Sequence, residues 1–161
     1  AQTVGNIIDA AGIDARRLEF ELTDTAIMSN VEDIERCMQI IREIGPTFSL
    51  DDFGTGYSSF AHIQRLPIGA LKIDRGFVQN VPTTHDDATI VKAMISLAHN
   101  LGLKVIAEGA ETGEQVDFLR EHACDQVQGY FFSRPLPFVE LLDRMQRTFM
   151  PAALAASTIT V

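Results

Sequence analysis

Short apolar runs alternate with amphipathic stretches along almost the whole chain, and that alternation narrows the folds open to it. Val4 to Ala11 reads as the end of a helix closed by Gly12, and Leu18 to Leu22 as a strand. Val31, Ile34, Met38, Ile41 and Ile44 recur at helical spacing, and Gly45-Pro46 stops that helix. Thr47 to Leu50 reads as a second strand, Ser58 to Leu66 as a short helix ended before Pro67, and Ala70 to Ile73 as a third strand. A strong helix is expected over Ala88 to Leu101, capped by Asp86 or Asp87 and followed by Gly102. Leu103 to Ala107 reads as a fourth strand, Gly113 to Glu121 as a helix and Asp125 to Gln128 as a short fifth strand. Tyr130 to Ser133 is expected to hold a sixth, and Phe138 to Phe149 a last helix. Residues 1–150 read as one domain, and the Ala-rich stretch 151–161 as a frayed tail.

Strands alternating with helices imply βα units and a parallel sheet. On pattern alone, a doubly wound sheet and a (β/α)8 barrel both remain open. A whole barrel takes roughly 250 residues, and this chain has 161. As a barrel it would therefore lack about two strands. Hydrophobic residues at 46% and charged residues at 22% give the makeup of a packed globular domain, which argues against disorder. No apolar run approaches the ~20 residues that span a bilayer, and no signal-peptide pattern opens the chain. Cys37 and Cys124 lie far apart in no metal-ligand spacing. They read as buried small hydrophobes in a reducing cytoplasm rather than as a disulfide. The net charge of −9 disfavours non-specific binding to DNA or RNA.

What stands at the end of each strand carries the chemistry. The first ends in Glu21, within L-E-F-E-L-T-D, and the second in Asp51-Asp52, before F-G-T-G-Y-S-S. The third carries Lys72 within L-K-I-D, with Asp74 behind it. The fourth ends in Glu108, within A-E-G-A-E-T, with Glu111 close after, and the fifth in Gln128, within Q-G-Y. Parallel strands share one C-terminal face, where active sites form. One edge of the sheet would thus collect Glu21, Asp51, Asp52, Lys72, Glu108, Glu111 and Gln128.

Taken singly, each residue has an ordinary reading. Asp24, Asp74 and Glu111 would be helix caps or turn formers, Lys72 a solvated lysine, and Gly54 and Gly56 turn glycines. Ser58-Ser59 would be a helix cap. The four histidines show no ligand pattern. The sum is harder to set aside, because four successive strands ending in acid, acid pair, lysine and acid are costly unless paired or metal-bound. Oxygen-only ligands favour Mg2+, Mn2+ or Ca2+ over zinc. Two adjacent aspartates can serve two ions, and two ions suit in-line displacement at a phosphodiester. The residues alone point to metal-assisted phosphoester hydrolysis on a barrel.

The five motifs L-E-F-E-L-T-D, D-D-F-G-T-G-Y-S-S, L-K-I-D, V-I-A-E-G-A-E-T and Q-G-Y-F-F-S-R-P-L-P occur in the order and rough spacing of EAL domains. The chain resembles that family from Val4 to about Met145. The resemblance implies a modified (β/α)8 barrel that hydrolyses cyclic di-GMP to linear 5'-pGpG with two Mg2+ or Mn2+ ions, Ca2+ being inhibitory or non-productive. By motif position Glu21, Asp51 and Asp52 resemble the metal ligands, with Asp51 the bridge. Lys72 resembles the lysine near the attacking water, and Glu108 the acid that places or deprotonates it. Glu111 and Gln128 resemble further members of that network. Phe53, Gly54, Thr55, Gly56, Tyr57 and Ser58 fall in the loop that links substrate, metal site and dimer contact. Arg134 and Pro135 sit where the family has substrate-proximal chain.

Two family groups fall upstream of Ala1 on this reading: the E-x-L glutamate of the first strand and the asparagine of the second. Their loss is expected to weaken one ion and to open two strand edges, so these 161 residues alone are expected to be impaired as an enzyme. About six of the eight βα units are expected to be present. Asp24 stands where the family usually has glutamate, which shortens a brace of the catalytic loop. The resemblance further implies a homodimer and linkage to GGDEF, sensory or membrane-anchored modules in the parent. The alternative to an enzyme is a degenerate EAL domain that binds cyclic di-GMP, or a protein partner, without cleaving it.

Overall fold

The computed structural model describes residues 2–23, 26, 31–54 and 63–149. The chain divides into two compact units, residues 1–131 and 132–161. The first unit runs α1 (Gln2–Ala11), β1 (Glu19–Thr23), α2 (Val31–Ile44), β2 (Thr47–Phe53), β3 (Ala70–Ile73), α3 (Arg75–Val78), α4 (His85–Asn100), β4 (Lys104–Glu108), α5 (Gly113–Glu121) and β5 (Gln126–Gln128). The second holds α6 (Phe138–Phe149). The helix expected from Ser58 lies largely outside the described residues, as do Asp24 and the tail.

The five strands form one parallel sheet in the order β1-β2-β3-β4-β5. In-register partners of parallel strands share a face, so register sorts the side chains into two sets. Phe20 pairs with Phe48, Leu22 with Leu50, Leu50 with Leu71, Leu71 with Val105, and Ala107 with Val127. This is the apolar face. It packs with Met38, Val78, Val91, Ile95, Ala98, Val116 and Leu119 from the helices into a single core. Leu50, Leu71, Ile73 and Val105 are fully buried there, each contributing about 1.5–3 kcal/mol from apolar burial. The opposite face carries Glu19, Glu21, Thr23, Thr47, Ser49, Asp51, Lys72, Lys104, Glu108, Gln126 and Gln128, with Ala70 and Ile106 between them. Glu19, Thr47, Lys104 and Gln126 on it are exposed. Among the described residues helices cover one face alone, which distinguishes a barrel from the doubly wound alternative, where both faces are covered. The unit is an arc of a (β/α)8 barrel, with five of its strands.

Four expectations need correction. The stretch 130–133 is not a strand. Phe131 N–H donates to the Ala110 carbonyl (3.0 Å), and a Cβ on Gly129 would run into the Ala110 backbone. The chain therefore folds across the end of β4 instead of extending beside β5. The cap of α4 is Thr84, with Asp86 and Asp87 inside the first turn, where their charge suits the helix dipole. Cys37 is exposed rather than buried, though neither cysteine is paired. A short helix, α3, follows β3 where no helix was expected. Among the described residues no helix is long and apolar enough to cross a membrane.

Candidate active site

Because all five strands run the same way, their C-terminal ends meet at one edge, and the polar face converges there. Lys72 is 5% exposed. Its Nζ lies 2.6 Å from Glu21 Oε1, 3.2 Å from Asp51 Oδ1 and 2.7 Å from Glu108 Oε1. Three carboxylates from three different strands thus meet on one ammonium. Burial alone would push that ammonium's pKa down. The hydrogen bonds it donates to Glu108, Glu21 and Asp51 outweigh the burial and hold the pKa above its ordinary value. The Lys72 ammonium keeps mutually repelling carboxylates within reach of one point.

Adjacent residues in a regular strand point to opposite faces, so an aspartate pair would ordinarily be split between site and core. Here the register between β2 and β3 shifts between Leu50 and Phe53. Asp52 adopts a left-handed φ of 56°, and its N–H donates to Asp51 Oδ1 (3.0 Å). The bulge interrupts the alternation at the aspartate pair. Both aspartates are half-buried, and Phe53 beyond them returns to the core.

Beside the cluster lies a cleft of about 170 Å3 lined by Glu108, Glu111, Gln128, Tyr130 and Arg75. Glu111 and Gln128 are exposed on it. Asp74 sits one turn away from this chemistry: its Oδ1 accepts from Gly76 N–H (2.8 Å) and caps α3. Thr55, Gly56, Tyr57 and Ser58, like Asp24, lie outside the described residues. Arg134 and Pro135 belong to the second unit. One residue that the sequence reading passed over is Gln115. It is buried, and its side chain bonds the backbone of Glu111 and Thr112. Its signal was present in T-G-E-Q, a threonine followed three residues later by glutamine at a helix start.

The donor set is all oxygen, as hard divalent cations require. Among the described residues, no three His, Cys, Asp or Glu side chains converge closely enough to hold an ion by themselves.

The protein-family model described as EAL domain matches residues 1–135. The chain belongs to the EAL domain family. This EAL domain is 48% identical over 138 residues to cyclic di-GMP phosphodiesterase NbdA of Pseudomonas aeruginosa, covering 86% of the chain and 18% of NbdA. The chain spans about a fifth or less of the curated relatives it matches. Among solved structures it is similar to the PaMucR phosphodiesterase in complex with c-di-GMP: TM-score 0.83, 37% identity, 87% of this chain and 57% of that one. It is also similar to Klebsiella pneumoniae BlrP1 as a manganese and c-di-GMP complex: TM-score 0.77, 28% identity, 83% of this chain and 34% of that one.

Proposed function

We propose that this EAL domain, within its parent protein, hydrolyses cyclic di-GMP to linear 5'-pGpG with Mg2+ or Mn2+ in the cytoplasm. The observation that carries the reading is the convergence of Glu21, Asp51 and Glu108 on the buried Lys72 ammonium. The names of NbdA, PaMucR and BlrP1 supply the substrate class.

Glu21, Asp51 and Asp52 would hold two divalent cations, which supply Lewis acidity toward the phosphate oxygens. The chain's own residues then have defined tasks. Glu108 accepts the proton of the attacking water. The water oxygen bonds to phosphorus as one P–O3' bond breaks, the 3' oxygen takes a proton from solvent to leave as a hydroxyl, and Glu108 returns its proton to solvent. Lys72 holds Glu108 and Asp51 in place and offsets the charge that accumulates at phosphorus. Glu111, Gln128 and Tyr130 line the neighbouring cleft and would receive part of the nucleotide. Ca2+ would bind without supporting turnover.

The test is turnover of cyclic di-GMP by the full-length protein with Mg2+ or Mn2+, beside an Asp51→Ala control. pGpG that appears only with the ion and only with Asp51 supports the hydrolase. Nucleotide binding without product would make the domain a receptor and remove the roles given to Lys72 and Glu108.

A further inference from the structure

The turn that follows β4 carries Glu108, Glu111 and Thr112 into α5, and one buried amide organises it. Gln115 Oε1 accepts from Glu111 N–H (2.6 Å) and from Thr112 N–H (2.9 Å). Its Nε2 donates to the carbonyl of Gln79 (3.0 Å), the residue that ends α3. The oxygen faces two donors and the nitrogen faces a carbonyl, so the orientation of the amide is fixed by its partners. Gln115 is 6% exposed, and a buried amide that lost these partners would be penalised for each.

Capping α5 accounts for only part of this arrangement. A capping box needs the Gln115 side chain on Thr112 N–H and the Thr112 hydroxyl on Gln115 N–H, and both are present. The bonds to Glu111 N–H and to the Gln79 carbonyl lie outside the cap. They run from the turn that carries the fourth strand's acids to the helix behind the third strand's lysine. A second contact presses the same two segments together: a Cβ on Gly109 would collide with the Arg75 side chain. The turns after β3 and β4 are therefore locked as one body.

We propose that Gln115 is a positioning residue for the reaction: by locking the 108–112 turn to α3, it sets Glu108 and Glu111 relative to Lys72. This rests on the hydrolytic reading above. Gln115→Met keeps the volume and removes all three side-chain bonds. Gln115→Glu keeps both acceptor bonds and loses the donor to Gln79. Thr112→Ala removes the other half of the cap and leaves the bonds to Glu111 and Gln79.

The measurements are made on the full-length protein at 20 °C, with folding checked by circular dichroism. Gln115→Met is expected to lower kcat by about 10–100-fold with KM changed less than about threefold, as for residues that orient an active group from behind. Gln115→Glu should fall between it and the unmodified protein, and Thr112→Ala should lose thermal stability while kcat stays within about twofold. Equal kcat in folded Gln115→Met, or an equal loss in Thr112→Ala, would reduce Gln115 to a cap and overturn the proposal. Hydrogen exchange at the Glu111 and Thr112 amides separates this claim from the hydrolytic one. Faster exchange at both in Gln115→Met supports the lock even if the unmodified protein turns over nothing, and unchanged exchange in that variant overturns it.

Discussion

The two flanks of the Lys72 cluster are built differently. On the β4–β5 flank, Glu108 sits on a strand with partners on both sides. The turn behind it is held by Gln115, by the Arg75 contact at Gly109 and by the bond from Phe131 N–H to the Ala110 carbonyl. On the β1–β2 flank, Glu21 stands half-exposed on the edge strand of the sheet. Beside β1 runs an apolar groove of Val4, Ile7, Ile8, Leu18 and Phe20, and Ile7 is 63% exposed. Asp51 and Asp52 sit in a bulge with a left-handed residue. The first flank is fixed by local bonds. On the second, Glu21 and Asp51 reach across the sheet to Lys72. An acid can thus be placed by the chain's own turn or by a countercharge across the sheet, and the two devices should respond differently to mutation, to ions and to pH.

The largest contrast is expected in turnover. Asp51→Ala should lower hydrolysis by ~10³-fold without loss of thermal stability, since it removes repulsion as well as a Lys72 contact. A variant that retained activity would mean that the bulge is not the centre of the chemistry. Gly129→Ala probes the other flank, where a methyl group would enter the Ala110 backbone. It should cost about 2–4 kcal/mol in urea unfolding, as overpacking against backbone does. A cost near zero would show that the turn is not tightly held.

Lys72→Met should sharpen the comparison further. It leaves three carboxylates with no cation, at a cost of about 2–3 kcal/mol, below that of a wholly buried pair because Glu21 is open to water. Millimolar Mn2+ should restore much of that loss in the Lys72→Met protein and little in Gly129→Ala. Thermal melts with and without Mn2+ decide it, and equal responses would erase the distinction between the flanks.

The smallest effect lies at the opposite end of the sheet. Asp125 accepts from His99 Nε2 (2.9 Å) and from Val105 N–H (2.8 Å). The bond from His99 first, and the Val105 amide after it, hold its pKa below the usual carboxylate value. A depressed carboxylate stabilises the fold above its unfolded pKa of about 4, and the contribution is lost as pH falls through the lower folded value. Asp125→Asn should therefore flatten stability below about pH 4, by less than about 1 kcal/mol because the pair is solvent-screened. Guanidinium unfolding at pH 3 and pH 6 measures it, and an unchanged slope in the variant would remove Asp125 from the acid response.

Most of the scaffold was legible because its signals are local. The apolar spacing of Val31 to Ile44 gave α2 its bounds, and the acids and lysine in β1 to β4 marked the edge where Glu21, Asp51, Lys72 and Glu108 meet. What misled was chemistry shared by two structures. Tyr130-Phe131-Phe132 is a sound strand sequence, yet Gly129 allows a close approach that turns it across β4. Cys37 is small and apolar but falls on the outward side of α2. The left-handed Asp52 left no mark in composition, because aspartate tolerates that region without needing glycine. Gln115 could have been read as a cap from T-G-E-Q, but its reach to Gln79 spans 36 residues and is set by the packing of α3.

The strand order has a consequence for the order of synthesis. Each strand pairs with the one made just before it, so the sheet can lengthen by one edge at a time as the chain leaves the ribosome. Glu21 and Asp51 are made before Lys72, and their like charges meet without its ammonium. β3 then delivers the lysine that reconciles them, and Glu108 arrives last. A nascent chain stopped before residue 70 would pair β1 with β2 and bring Glu21 and Asp51 together without the Lys72 ammonium. The ribosome's progress past Lys72 is thus the moment at which the site becomes electrostatically self-consistent.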